Sequence, residues 1–310
     1  MAFQHIVQPF GNFEKHIFEN EQGDAFEMTS QYGSCLLDLR FAGQSVLDGY
    51  KTPDDLVANA WAKNVFLLPY PNRLRDGQYV FGGKTYQFEI NNADTQNSIH
   101  GFGKNVPMTV KKVETNDQMA KIHCTWQHDG SHPAYPFRFT FSVIMTLKNS
   151  DFEIELRFKN DDEQAIPVGL GWHPYFIMSE KVDDTSLQMP DSQLIVIDER
   201  MLPTGEKQDY SAFKNLTKIG STSLDNGFFI TEKGEKASVI LQSERGHLHY
   251  WQEIGAAKWN FVQIFTPPHR QSIAVEPMTC NIDAFNNQDG LVLLTPKATL
   301  EGKFGVQFSK

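Results

Sequence analysis

Apolar and polar residues alternate with a period of two along much of this chain, and no other feature restricts its fold as strongly. In DFEIELRFK, Phe152, Ile154, Leu156 and Phe158 fall on one side, and Glu153, Glu155 and Arg157 on the other. In PFRFTFSVIMTL, Phe137, Phe139, Phe141, Val143, Met145 and Leu147 share a face opposite Arg138, Thr140, Ser142 and Thr146. A helix would scatter these residues around its axis, whereas a strand puts every second side chain on one face. Similar segments recur at YVFGGKTYQFEI, ASVILQS, HLHYWQEI, NFVQIFT, QSIAVE and FGVQF. They predict half-buried antiparallel strands. The step Phe81-Gly82-Gly83-Lys84 joins two such runs as a hairpin, its glycines free to take positive φ. Helical signals concentrate in TPDDLVANAWA, residues 52–62, where Thr52 is an N-cap, Pro53 opens the helix and two acids follow. With no internal repeat, linker or charge block, residues 1–310 read as one all-β domain, a large antiparallel β-sandwich with few short helices. Residues 177–225 read as a loop-rich decoration of one face.

Charge and composition narrow the function. The net charge of −10 gives a surface that repels phosphate backbones, so nucleic acid is not expected as a partner and a neutral ligand suits the chain best. No apolar run approaches the roughly 20 residues that span a bilayer, so no membrane association is expected. The first residues lack the basic start and unbroken apolar segment of a signal peptide. Three dispersed cysteines, Cys35, Cys124 and Cys280, suggest reduced thiols and a cytoplasmic location.

Five stretches carry titratable or planar polar residues in apolar or Gly/Pro-bracketed surroundings. VGLGWHPYF pins His173 between Trp172 and Pro174. It reads either as a core histidine or as a proton donor at a sheet rim, with aromatic faces beside it that suit pyranose C–H faces. Gly169 and Gly171 permit close approach of a ligand or a neighbouring strand. LLPYPNRLRDGQY puts Tyr70, Asn72 and Arg73 on extended backbone after prolines, with Arg73 either a fork for sugar hydroxyls or a loop arginine paired to an acid. NSIHGFGKN turns the chain at His100, and SLDNGFFIT offers Asp225, which an Asx turn also explains. In SIAVEPMTCNIDAFNN, Pro277 is expected to end the ladder just after Glu276, an edge gatekeeper or a base whose pKa burial would raise.

Taken together, PNRLRDGQYVFGGKTYQ, NSIHG, GLGWHPYF, LDNGFFI and AVEPMT resemble, in order and interval, the aldose 1-epimerase (galactose mutarotase) family over nearly the whole chain. The resemblance implies a large antiparallel β-sandwich and an isomerase that interconverts the α and β anomers of a free aldohexose such as glucose or galactose. It assigns Glu276 as general base and His173 as general acid, with Arg73, His100 and Asp225 on the sugar and Asn72 and Gln263 as lesser binding residues. The reaction needs no cofactor and no metal: one group takes the anomeric proton while another protonates the ring oxygen. Glu276 as carboxylate and His173 as imidazolium is the matching starting state. A glycoside hydrolase would want two carboxylates about 5–10 Å apart rather than a Glu–His pair. His247 and His249 face one way in HLHY, without the acid or cysteine cluster a metal site would add. Two alternatives stay open: a non-catalytic carbohydrate-binding sandwich, and a hexose-6-phosphate 1-epimerase, which would want more basic residues than Arg73 and Arg75 near these motifs.

Overall fold

A computed structural model of the chain describes residues 2–148 and 150–310. The alternating segments form its larger sheet. Phe139–Lys148 pairs on one side with Met119–His128 and on the other with Asp151–Asn160, and Thr299–Ser309, Gly246–Glu253 and Lys236–Ser243 extend the ladder. Thr109–Thr115 closes one edge and Ser186–Gln188 with Thr217–Lys218 the other, giving nine antiparallel strands. Phe139, Phe141, Val143, Met145 and Leu147 are all buried, as are Phe152, Ile154, Leu156 and Phe158. The predicted face is the core face.

A second, eight-stranded sheet lies against it. Its order runs Pro203–Asp209, Ser192–Ile197, Asp225–Ile230, Phe261–Phe265, Ile273–Met278, Gly171–Trp172 and Phe66–Leu67, with Tyr175–Phe176 also paired to Ile273–Met278. Trp172 from this sheet stacks on Phe304 of the larger one at 5.2 Å, and Phe66 approaches Phe141 at 6.5 Å, so aromatic pairs join the two layers. A five-stranded sheet, Gln4–Phe10 to Gln44–Ser45, covers one flank of the sandwich.

The structure corrects four expectations. The helix that Thr52 caps, through a bond from the Asp55 N–H, ends at Ala58, because Asn59 turns left-handed. The chain then makes one 3₁₀ turn at Ala60–Ala62. Within 177–225 lie four strands rather than plain loop, including Ser192–Ile197 and Pro203–Asp209. Pro277 does not end its ladder; it sits in register opposite Val262, and the strand runs on to Met278 in the middle of the sheet. An edge-gatekeeper role for Glu276 is therefore excluded. Finally, Asn72 is left-handed (φ 54°), not extended. The Gly82-Gly83 hairpin forms as expected, with φ of 57° and 75°.

Candidate active site

Register alone assembles the floor of one cleft. Across the eight-stranded sheet, Gly227, Gln263 and Glu276 stand opposite one another, and one pleat further on so do Asp225, Phe265, Ala274 and Tyr175. Side chains two apart on a strand share a face, so Glu276, Gln263, Asp225 and Tyr175 project together. The residues between them, Val262, Ile264, Val275 and Ile273, fill the core behind. Gly227 keeps the floor open, because a Cβ there would stand 3.2 Å from Gln263 Oε1.

His173 enters beside this floor. Its backbone is tied to the Phe66 strand's lead-in by bonds from its N–H to Val65 O and from the Asn64 N–H to its carbonyl. The ring stacks on Tyr175 at 5.1 Å and meets His100 edge-on at 5.1 Å. A third ladder, Arg73–Arg75 with Asn97–Ile99, places Asn72 and His100 next to each other, joined by a bond from the His100 N–H to Asn72 O. Asn72 Oδ1 accepts from both the Arg73 N–H and its guanidinium, which fixes the fork in place.

The result is a cleft of about 400 Å³ that brings together all seven residues singled out in the sequence: Asn72, Arg73, His100, His173, Asp225, Gln263 and Glu276. His173 Nε2 lies 3.4 Å from Glu276 Oε1. Gln263 donates to Asp225 at 2.6 Å. Among the described residues ten buried side-chain polar atoms lack a hydrogen-bond partner, and five of them line this cleft: Arg73 Nε, His100 Nδ1, His173 Nδ1, Gln263 Oε1 and Glu276 Oε2. Buried polar groups are ordinarily satisfied, so such a concentration marks a surface made for a polar ligand. Asn59, Trp61, Asn72 and His100, all on the cleft wall, hold left-handed backbone, another feature of binding sites.

Electrostatics correct one expectation. Burial pushes His173 down to about 3, so its ring is neutral near pH 7 and not an imidazolium. Burial and then the neighbouring Asp225 carry Glu276 well above the usual carboxylate range, with Arg73 opposing. Burial likewise lowers His100, helped by His173, Lys104 and Arg73. Both shifts favour the uncharged forms of Glu276 and His173.

Other residues surfaced only in the fold. Trp172 faces the core and forms no part of the floor; Trp61, largely exposed, takes the aromatic place instead, 5.9 Å from Phe265. Tyr175 OH donates to the Trp61 carbonyl and holds that turn. The break of the helix at Asn59 is what frees Trp61, and Asn after a short helix was its one sequence signal. Lys104 reaches the cleft from the NSIHGFGKN loop. Arg75 does not, because it is paired to Asp283 and Asp198. His247 and His249 lie elsewhere, His249 bonded to Ser238, and among the described residues no group of three His, Cys, Asp or Glu is placed to hold a metal ion.

The sequence pattern of the aldose 1-epimerase family matches residues 20–307. The chain belongs to the aldose 1-epimerase family. Among its relatives, the uncharacterized protein YihR of Escherichia coli K12 is 27% identical over 289 residues, 88% of this chain and 86% of YihR. A probable aldose 1-epimerase of Arthroderma benhamiae is 24% identical over 211 residues, 60% of this chain and 47% of that protein. Of solved structures, a galactose mutarotase-like protein from Clostridium acetobutylicum superposes with a TM-score of 0.89 at 19% identity, over 100% of this chain and 99% of that one. The galactose 1-epimerase of Lactobacillus acidophilus NCFM gives 0.82 at 17%, over 99% and 98%. The fold is thus the mutarotase-like antiparallel sandwich.

Proposed function

We propose that this aldose 1-epimerase family member interconverts the anomers of a free aldohexose such as glucose or galactose. The observation that carries the reading is the Glu276–His173 pair, 3.4 Å apart on the floor of a cleft whose polar atoms await partners. Glu276 takes the proton of the anomeric hydroxyl while the C1–O5 bond breaks and O1 becomes the aldehyde oxygen. O5 receives a proton from His173. Rotation about C1–C2 presents the other carbonyl face, and the transfers reverse, leaving no net change in protons.

The pair holds one proton whether it rests on Glu276 or on His173. A sugar whose O1 hydroxyl donates to Glu276 and whose O5 accepts from His173 favours the charged arrangement over the neutral one. Arg73 and His100 line the same cleft, which supports giving them the hydroxyls and the charge building on the ring oxygen. Trp61, Phe265 and Tyr175 offer an apolar wall to the ring's C–H face. A cytoplasmic setting suits the three buried free thiols.

The test is polarimetry of freshly dissolved α-glucose and α-galactose. Glu276→Gln removes the proton acceptor, and the rate should fall by about 10²–10⁴-fold, toward the buffer background. A variant with near-native rate would remove Glu276 from the chemistry. Sugar binding by wild type without any acceleration would make the cleft a non-catalytic binding site.

A further inference from the structure

Asn64 is fully buried and is not one of the residues that line the cleft. Its polar groups are nevertheless committed to the segment that carries His173. The backbone N–H donates to His173 O at 2.8 Å, the carbonyl accepts from the Trp172 indole N–H at 3.3 Å, and the side-chain Oδ1 accepts from the Tyr175 N–H at 3.1 Å. The remaining group, Nδ2, donates to Asp48 O at 3.0 Å. The backbone of Asn64 is left-handed (φ 60°), a conformation that asparagine adopts more readily than most residues.

The two side-chain bonds replace a bond that the ladder lacks. Leu47 bridges Phe176 in antiparallel sense, with the Asp48 N–H donating to Tyr175 O at 2.8 Å. In a regular antiparallel pair the reciprocal bond would run directly from the Tyr175 N–H to Asp48 O. Here the Asn64 amide stands between them, taking the Tyr175 N–H on its oxygen and giving its own N–H to Asp48 O. Pro174 has no N–H to offer. The imidazole is therefore placed by the residues on either side of that proline, and Asn64 holds both, His173 through its backbone and Tyr175 through its side chain. The His173 ring in turn stacks on Tyr175 and stands 3.4 Å from Glu276.

We propose that Asn64 is a positioning residue: its side-chain amide, inserted between Asp48 and Tyr175, sets the His173 imidazole against Glu276. The inference rests on the reading above, in which that pair moves the protons. An asparagine that served stability alone could spend its bonds anywhere in the core; these bracket one ring from both sides.

The experiment compares wild type with Asn64→Gly, which keeps the left-handed backbone and deletes the amide, and with Asn64→Asp, which keeps an oxygen for the Tyr175 N–H. The His173 ring is followed by NMR of protein labelled in its histidines, its signals identified by their loss in His173→Asn. Turnover and KM for glucose and galactose are measured by polarimetry where each variant is folded. In Asn64→Gly the His173 signals should leave the position that stacking on Tyr175 gives them, and in Asn64→Asp they should move less. Turnover should fall by about 10–10²-fold in Asn64→Gly and by less in Asn64→Asp, with KM held, since a displacement near 1 Å can cost that much in rate. Ring signals that stay in place in both variants overturn the inference, even where stability or activity is lost. Should Asn64→Gly fail to fold, the signals of Asn64→Asp decide. The two readings fail separately. A wild type that accelerates neither sugar sinks the epimerase, while the ring signals still decide the role of Asn64. A displaced ring with full turnover upholds the positioning by Asn64 and removes His173 from the chemistry.

Discussion

Glu276 is pulled in two directions, burial and Asp225 favouring its protonated form and Arg73 its carboxylate, and the first pair wins. That balance affects stability as well as chemistry. Its folded pKa lies above the unfolded value, so between the two the native state binds the extra proton. The stabilising contribution is complete below about pH 4.5 and is lost as pH rises through the folded value. Glutamine resembles the protonated form and does not titrate. The stability of Glu276→Gln relative to wild type should therefore increase between pH 5 and pH 8, by roughly 1–3 kcal/mol, measured as urea midpoints at each pH. A difference constant across that range would show that Glu276 is ionised in the folded protein. Half of this was legible in the sequence: AVEPMT suggested that burial would raise the carboxyl, as it does, but the state of the imidazole beside it required knowing how deeply the pair sits. The residue types were readable because the chemistry needs them; their protonation depended on depth.

Strands whose two faces differ sharply could be read directly, and Phe139–Lys148 and Asp151–Asn160 are such strands. Ser192–Ile197 could not, since SQLIVI is half-buried on both faces and carries no clean alternation. Pro277 misled for a related reason: a proline in a central strand is unusual, yet on the side away from Val262 it lies where pairing is interrupted, between Gly171 opposite Met278 and Tyr175 opposite Ala274. The two glycines before His173 offered a choice between a ligand and a strand as the close neighbour, and the fold decides for protein. A Cβ at Gly169 would meet Cys280 Sγ; one at Gly171 would stand 2.9 Å from Pro71 Cβ and 3.2 Å from Leu67 Cδ1 and Pro277 O. Gly171 pairs with Leu67 on one side and Met278 on the other, so its strand has no free direction in which to yield. Gly171→Ala should cost about 1–3 kcal/mol in urea unfolding through overpacking. It should also slow mutarotation, because the shift reaches His173 two residues on and Asn72 beside Pro71, and a displacement of about 1 Å can cost 10²-fold in rate. Wild-type stability in this variant would mean that the sheet absorbs the methyl and that close packing does not position the histidine.

At the scale of the molecule, the cleft is the outer face of one sheet, and the other sheet packs against the inner face. Trp172, next to His173, turns inward and stacks on Phe304 from Thr299–Ser309, while Phe304 also meets Trp259 edge-on at 4.9 Å. Phe304 is fully buried and is not one of the residues that line the cleft. It therefore separates support from chemistry. Phe304→Ala leaves a void under Trp172 and should destabilise the protein by about 3–5 kcal/mol, read as a lower urea midpoint. If the two layers act as one rigid support, mutarotation should also fall in conditions where the variant is still folded, with turnover affected more than sugar affinity, since His173 loses its orientation while Arg73 and Asp225, proposed to hold the hydroxyls, keep theirs. Full turnover in a folded but weakened variant would show instead that the eight-stranded sheet orients the pair unaided. That outcome would also locate the determinants of His173 in its bonds to Asn64 and Val65 rather than in the core behind it.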